Sequence, residues 1–361
     1  MTKPIDPVEY VPDASVYPGQ SLADILESRG ISQAELARRL DRPIQAVNEI
    51  IMGKKEIIPD TAIALEHVLG LPASFWLKLE SNYRESLARN KENRELHTQE
   101  ELSRAYPYSE MVAFEWVKDV RSPKERVEEL LRWLGVAHLG LVPAQYEVAF
   151  RKSQKFSVSN EKLAVWLRHG EIEFQNQELE SFDKEKASDL TKSLRSLTRV
   201  DIKRACKDAQ SLCARHGIAL IFTPEFKSFP VSGATRWISG NALVQVSLRF
   251  KTDDHFWFSI FHELGHVFKH KRELFIEDDM KIDNHGYEEE ANQFAAEYLI
   301  PEAKYHEFLS KNPLIAESDI IQFAENISIA PGIIVGRLQH DKKIGINRYN
   351  RLKKRLCWTK N

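Results

Sequence analysis

The sequence predicts a predominantly helical α+β protein of two or three domains, and three observations carry that prediction. Its 361 residues exceed the roughly 100 to 200 residues of one domain. From Ser21 to about Tyr83, short apolar-periodic segments alternate with turn signals, and helical spacing returns across residues 105–216. After Gly217, two runs rich in β-branched residues precede a further helix that begins near Asp254.

Hydrophobic residues at 42% and charged residues at 29% match a globular chain and exclude a fibrous or wholly disordered one. The longest stretch lacking Asp, Glu, Lys and Arg, Trp133 to Tyr146, is 14 residues long. That is too short to span a bilayer. The N-terminus has no basic region followed by an apolar stretch, so no secretory signal and a cytoplasmic location are expected. Cys206, Cys213 and Cys357 are few and scattered, which argues against a disulfide framework and for buried, unreactive thiols. A formal net charge of −2 gives no global attraction to nucleic acid, so polyanion binding requires a local patch.

Residues 1–20 carry four prolines and read as an irregular arm, and residues 21–83 as a bundle of short helices. The charged stretch within 84–104 reads as a linker helix. Residues 105–216 form a helical middle region, with Trp116, Trp133 and Trp166 expected to anchor its core. Residues 217–335 hold two neighbouring strands, Ile218–Phe226 and Asn241–Phe250, and the helices after them. Residues 336–361 form a basic tail, read as a solvated helix or a contact to DNA backbone.

Ser32-Gln33-Ala34-Glu35 has the capping-box pattern, so a helix starts there. Asp41-Arg42-Pro43 ends it, and Ile44, Val47, Ile50 and Ile51 repeat at helical spacing until Gly53. Two short helices joined by a tight turn make a helix-turn-helix unit, whose second helix can enter the major groove. Gln33, Gln45, Asn48 and Glu49 are the polar candidates for DNA contact, with Lys54 and Lys55 suited to phosphates. A helical protein-interaction domain would show the same pattern.

The run from Ile25 to Tyr83, with its SQAELA helix start, Val-Asn-Glu-Ile segment, Gly-Lys-Lys turn and LGLPASFWL ending, resembles the Cro/repressor-type (XRE) helix-turn-helix of HigA-like antitoxins. The resemblance implies a five-helix-type domain that binds double-stranded operator DNA, usually as a homodimer.

His262-Glu263-Leu264-Gly265-His266 is an HExxH pattern. On a helix, His262 and His266 lie on one face and can present two imidazoles to a Zn²⁺, while Glu263 faces the water that would attack a substrate. The flanking Phe256, Trp257, Phe258, Ile260, Phe261, Val267 and Phe268 make that helix apolar nearly all round, so the buried polar groups need partners. A third protein ligand is required. In the downstream helix, Glu288 shares a face with Ala291, Phe294 and Ala295, with Glu290 as its competitor, and Asn292 can hold a ligand imidazole from behind. His255 and His270 read as ordinary histidines. Arg236, Tyr287 and Tyr298 are open candidates for oxyanion stabilisation.

HExxH followed by a helix of the form ExxANxFAAxxLxP resembles the ImmA/IrrE family of zinc metallopeptidases. That resemblance implies a zincin-like domain with a small sheet and a gluzincin-like site: His262, His266 and Glu288 as ligands and Glu263 as general base. It also implies cleavage of a protein partner, such as a repressor or toxin-antitoxin protein, that pairs as a strand with a sheet edge, for which Asn241–Phe250 is the candidate. The whole chain then reads as a transcriptional regulator fused to an endopeptidase, of a kind that is often latent. The alternative is a HigA-like antitoxin or repressor whose zinc domain is sensory or structural. A digestive protease fits poorly with a DNA-binding module and no secretion signal.

Overall fold

The computed structural model describes residues 17–146, 159–278 and 285–358. The proline-containing arm therefore lies almost wholly outside the described residues. The chain divides into two compact units, Met1–Gln99 and Glu100–Asn361.

The first unit holds five helices: α1 (Pro18–Ser28), α2 (Gln33–Arg39), α3 (Ile44–Ile51), α4 (Pro59–Leu69) and α5 (Ala73–Ser103), the last continuing into the second unit. Leu22, Leu26, Leu36, Val47, Ile50, Leu65, Leu69 and Trp76 form its core. The Ser32 hydroxyl caps α2 by accepting from the Glu35 amide at 3.1 Å. The reciprocal half of the expected capping box is missing, because the Glu35 carboxylate turns instead to Arg38 and Arg39. Two guanidiniums one turn away offer a charged partner where the Ser32 amide offers a neutral one. Gly53 ends the α3 segment at φ +67°, a conformation that glycine adopts without steric cost. The charged stretch that reads as a linker is part of the continuous 31-residue α5.

The second unit continues with α6 (Tyr108–Ala113), α7 (Pro123–Leu134), α8 (Val142–Gln145), α9 (Asn160–Gln175), α10 (Ala187–Leu197) and α11 (Ile202–Ala214). Trp166 is fully buried, whereas Trp116 and Trp133 stack on each other and on His169 and stay half-exposed. A four-stranded sheet follows, built from β1 (Ile218–Phe222), β2 (Val231–Ile238), β3 (Asn241–Val246) and β4 (Phe275–Asp278) in the order β1-β3-β2-β4. β3 runs parallel to β1 and antiparallel to β2, and β2 antiparallel to β4. The expected neighbours β1 and β3 do pair, but the Gly/Ser/Pro-containing segment between them contains a strand, β2. As a result β3 sits inside the sheet with both backbone edges used. Asn241–Val246 therefore cannot take a substrate strand; among the described residues the sheet edges are β1 and β4.

Period-2 alternation sorts the sheet side chains between two layers. Ile218, Leu220, Ala242, Val244 and Val246 join the main core with the buried helix α12 (Asp253–Lys269). Ala219, Ile221 and Leu243 face Phe174 of α9 on the other side. Four helices complete the unit: α13 (His285–Leu299), α14 (Glu302–Lys311), α15 (Glu317–Asn326) and α16 (Pro331–His340). The basic C-terminal stretch is neither a continuous solvated helix nor a free tail. Its backbone pairs with residues 251–253 at the start of α12, and Lys353 makes a 2.6 Å ion pair with Asp254 in which both side chains are at least nine-tenths buried. No described helix is long and apolar enough to cross a membrane.

Candidate metal centre and nucleic-acid interface

Helix α12 is buried on nearly every side, and His262, Glu263 and His266 are each at most 1% exposed within it. Polar groups there must find partners, and α13 and β2 supply them. The α12–α13 approach depends on Gly265, where a Cβ would lie 2.9 Å from the Ala291 Cα and 3.2 Å from its Cβ. Two small residues at the crossing let Glu288, one turn before Ala291, reach the imidazoles. Glu288 Oε2 lies 3.2 Å from His262 Nε2 and Oε1 lies 3.6 Å from His266 Nε2, while the two Nε2 atoms are 3.1 Å apart. Glu290, the competitor read from the sequence, instead meets His270.

The hydrogen bonds fix which nitrogens face the centre. Asn292 Oδ1 is an acceptor 3.0 Å from His262 Nδ1, so the proton sits on Nδ1 and the Nε2 lone pair points inward. Burial lowers the His266 pKa to about 4 against the opposing pull of Glu288. Burial by itself would raise the Glu288 carboxyl, but its contacts with His262 and His266 prevail and bring it down to about 2. Asn292 thus aims the His262 lone pair inward beside the Glu288 carboxylate, and with His266 the three side chains offer a donor set for a cation. The fit is quantitative: zinc bonds of about 2.0–2.1 Å in a tetrahedron separate ligand atoms by about 3.3–3.4 Å, and the spacings here are 3.1, 3.2 and 3.6 Å. His262, His266 and Glu288 are the described residues that could hold a metal in this way.

Glu263 points to the sheet side of this centre. Thr235 of β2 donates to its Oε2 at 2.5 Å, and Gly233, two residues earlier on the same face, leaves the carboxylate its space: a Cβ there would be 2.3 Å from Glu263 Oε1. Arg236 is not an oxyanion candidate, because the alternation of β2 sends it to the opposite face, where it bonds Glu171 and the Leu167 carbonyl at 2.6 Å each. Tyr298 is ten residues beyond Glu288 on α13, about 15 Å along the helix, and packs on Phe294. Tyr287 remains near the site, its ring 4.7 Å from that of His270. His255 stacks on Phe250, away from the centre. Sequence reasoning missed Thr235 and Gly233, which nothing in a Ser-Gly-Ala-Thr string marks. It also passed over His270, whose i+4 spacing from His266 was a usable signal.

In the first unit, Gln33 is exposed at the start of α2, and Gln45 and Asn48 are exposed on α3. Gln45 Nε2 donates to Glu49 Oε1 at 3.0 Å, which holds both side chains on one surface. Lys54 and Lys55 are exposed just past the end of α3, and Ile44 is 54% exposed at its start.

Fold and site together define a helix-turn-helix unit followed by a unit built round an HExxH helix. Residues 22–76 match the helix-turn-helix family model, and residues 213–338 match the peptidase M78 model, described as the IrrE N-terminal-like domain. The chain therefore joins these two domains. Virulence-associated protein A of Dichelobacter nodosus is 39% identical over 59 residues, covering 16% of this chain and 58% of that relative's length. Among solved structures, an addiction module antidote protein of the HigA family from Coxiella burnetii is 30% identical, covering 24% of this chain and 94% of its own, with a TM-score of 0.22. Antitoxin HigA of Pseudomonas aeruginosa, solved with the higBA promoter, is 32% identical over 22% of this chain and 89% of its own, with a TM-score of 0.22.

Proposed function

We propose that the chain is a DNA-binding transcriptional regulator whose second unit is a zinc-dependent endopeptidase acting on a protein partner such as a repressor. The observation that carries the catalytic half is the convergence of His262, His266 and Glu288 with a buried carboxylate, Glu263, on the next position of the same helix. A purely structural zinc site has no use for that carboxylate.

In this reading His262, His266 and Glu288 hold the metal, and Asn292 orients His262. Bound zinc would polarise the scissile carbonyl and acidify the attacking water. Glu263, held by Thr235, takes the proton of that water and passes it to the leaving amine. Tyr287, whose ring lies 4.7 Å from that of His270, is the remaining candidate for donation to the developing oxyanion. β4 is the sheet edge beside α12 onto which an extended substrate segment could add. The helix-turn-helix unit supplies operator recognition through Gln33, Gln45, Asn48 and Glu49, with Lys54 and Lys55 on phosphates, and half-site logic makes a homodimer the expected form.

The test is metal content by elemental analysis for the purified full chain and for His262→Ala, followed by incubation of wild type and Glu263→Gln with candidate repressor substrates. About one zinc per chain, lost in His262→Ala, with cleavage by wild type alone, supports the reading. Zinc bound without cleavage of any substrate favours the sensory or structural alternative.

A further inference from the structure

We infer that His270, backed by Glu290, is a positioning residue that fixes the tautomer and orientation of His266 toward the metal. The inference rests on the metal-centre reading above and concerns two side chains outside its ligand set.

His266 Nδ1 lies 2.9 Å from His270 Nδ1, and His270 Nε2 lies 3.1 Å from Glu290 Oε2. A neutral imidazole has one donor and one acceptor nitrogen, so the row admits a single proton order once His266 Nε2 is to carry a lone pair. His266 Nδ1–H then donates to His270 Nδ1, and His270 Nε2–H donates to the Glu290 carboxylate. Every nitrogen has its complement, and the only exposed end of the chain is the charged one. The opposite order would place a proton on His266 Nε2, facing the Nε2 of His262 at 3.1 Å, and would leave the ligand unable to bind metal.

Packing also holds the row. The His266 ring stacks on Phe275 of β4 at 4.2 Å and 15°. His270 lies between Phe275 and Tyr287 with its side chain 1% exposed. It is the residue at which the chain leaves α12, with ψ 174°. The two imidazole ligands thus have unlike supports: an amide oxygen behind His262 and an imidazole–carboxylate pair behind His266. Glu290 is 60% exposed, so solvent screens its charge and His270 carries most of the effect.

The experiment is zinc affinity by competition with a chromophoric chelator, on the purified full chain, for wild type, His270→Phe, His270→Asn and Glu290→Gln, with thermal unfolding of each metal-free protein alongside. Loss of a support of this kind weakens metal binding roughly 10- to 100-fold. That loss is expected for His270→Phe, which keeps a ring against Phe275 and Tyr287 but has no acceptor. His270→Asn places an amide oxygen near the lost Nδ1 and should recover most of the affinity, and Glu290→Gln should stay within about threefold of wild type. If wild type binds zinc and His270→Phe binds it equally well, or if His270→Asn is as weak as His270→Phe, the positioning role is overturned while the metal centre stands. Wild type without zinc affinity would overturn the metal reading and the inference together.

Discussion

Thr235 Oγ1 lies 2.5 Å from Glu263 Oε2 and 3.2 Å from the Glu263 carbonyl oxygen, so one β2 hydroxyl both receives the carboxylate of α12 and sits over its backbone. A hydroxyl has one proton, and the shorter contact is the one to the charged group. Thr235→Val keeps the shape and removes the donor. A hydrogen bond to a charged group contributes about 1.5–3 kcal/mol, so in the proposed peptidase reaction turnover should fall roughly 10-fold or more while zinc affinity stays unchanged. Equal turnover in the variant would remove Thr235 from the mechanism, and loss of zinc would show that it supports the ligands instead.

Gly233→Ala should act on the same carboxylate by volume. The new Cβ would lie 2.3 Å from Glu263 Oε1 and 2.8 Å from its Cγ, and both atoms are confined in a buried site. Overpacking of this kind costs about 1–3 kcal/mol. The expected result is a lower melting temperature and loss of cleavage, with zinc retained because no ligand atom of the centre is touched. Full activity in the variant would mean that the carboxylate has room to move.

What was legible in the sequence was whatever a single helix encodes. His262, Glu263 and His266 follow from i, i+4 spacing, and Glu288 from the face it shares with Ala291 and Phe294. The capping serine of α2 and the turn at Gly53 are equally local. What stayed hidden depends on neighbours distant in sequence. β2 reads as a loop because Gly233 and Ala234 are small, yet Gly233 is small because Glu263 of another element lies against it. β4 is only four residues long and has no alternation to detect, so β3 reads as an edge although it is an inner strand. His270 looks ordinary until Glu290 and the His266 Nδ1 are placed on either side of it.

The first unit makes a separate prediction. Gln45→Ala and Asn48→Ala should each lose about 1–3 kcal/mol of discrimination between operator and mismatched DNA, because in the proposed docking α3 would carry these exposed side chains to base edges. Lys54→Ala should weaken binding to all sequences alike and reduce the salt slope by about one phosphate. Electrophoretic mobility shifts on operator and scrambled duplexes at two salt concentrations separate the two effects. Unchanged binding in all three variants would remove α3 from the groove.

Asp253, beside the C-terminal strap, gives stability a pH dependence of unusual sign. Burial raises its carboxyl to about 6, although the Lys354 amide donates to it at 2.9 Å. Between the unfolded value near 4 and about 6, the folded state therefore holds more protons than the unfolded state, and stability rises as pH falls. Two pKa units correspond to about 3 kcal/mol as an upper limit. Asp253→Asn keeps an acceptor for the Lys354 amide and carries no charge. Measured by urea unfolding, the stability of wild type relative to Asp253→Asn should improve as pH is lowered from 7.5 to 5, and titrations elsewhere cancel between the two proteins. Parallel stability curves across that range would show that Asp253 is ionised in the fold at no cost, and that the strap does not exclude water from it.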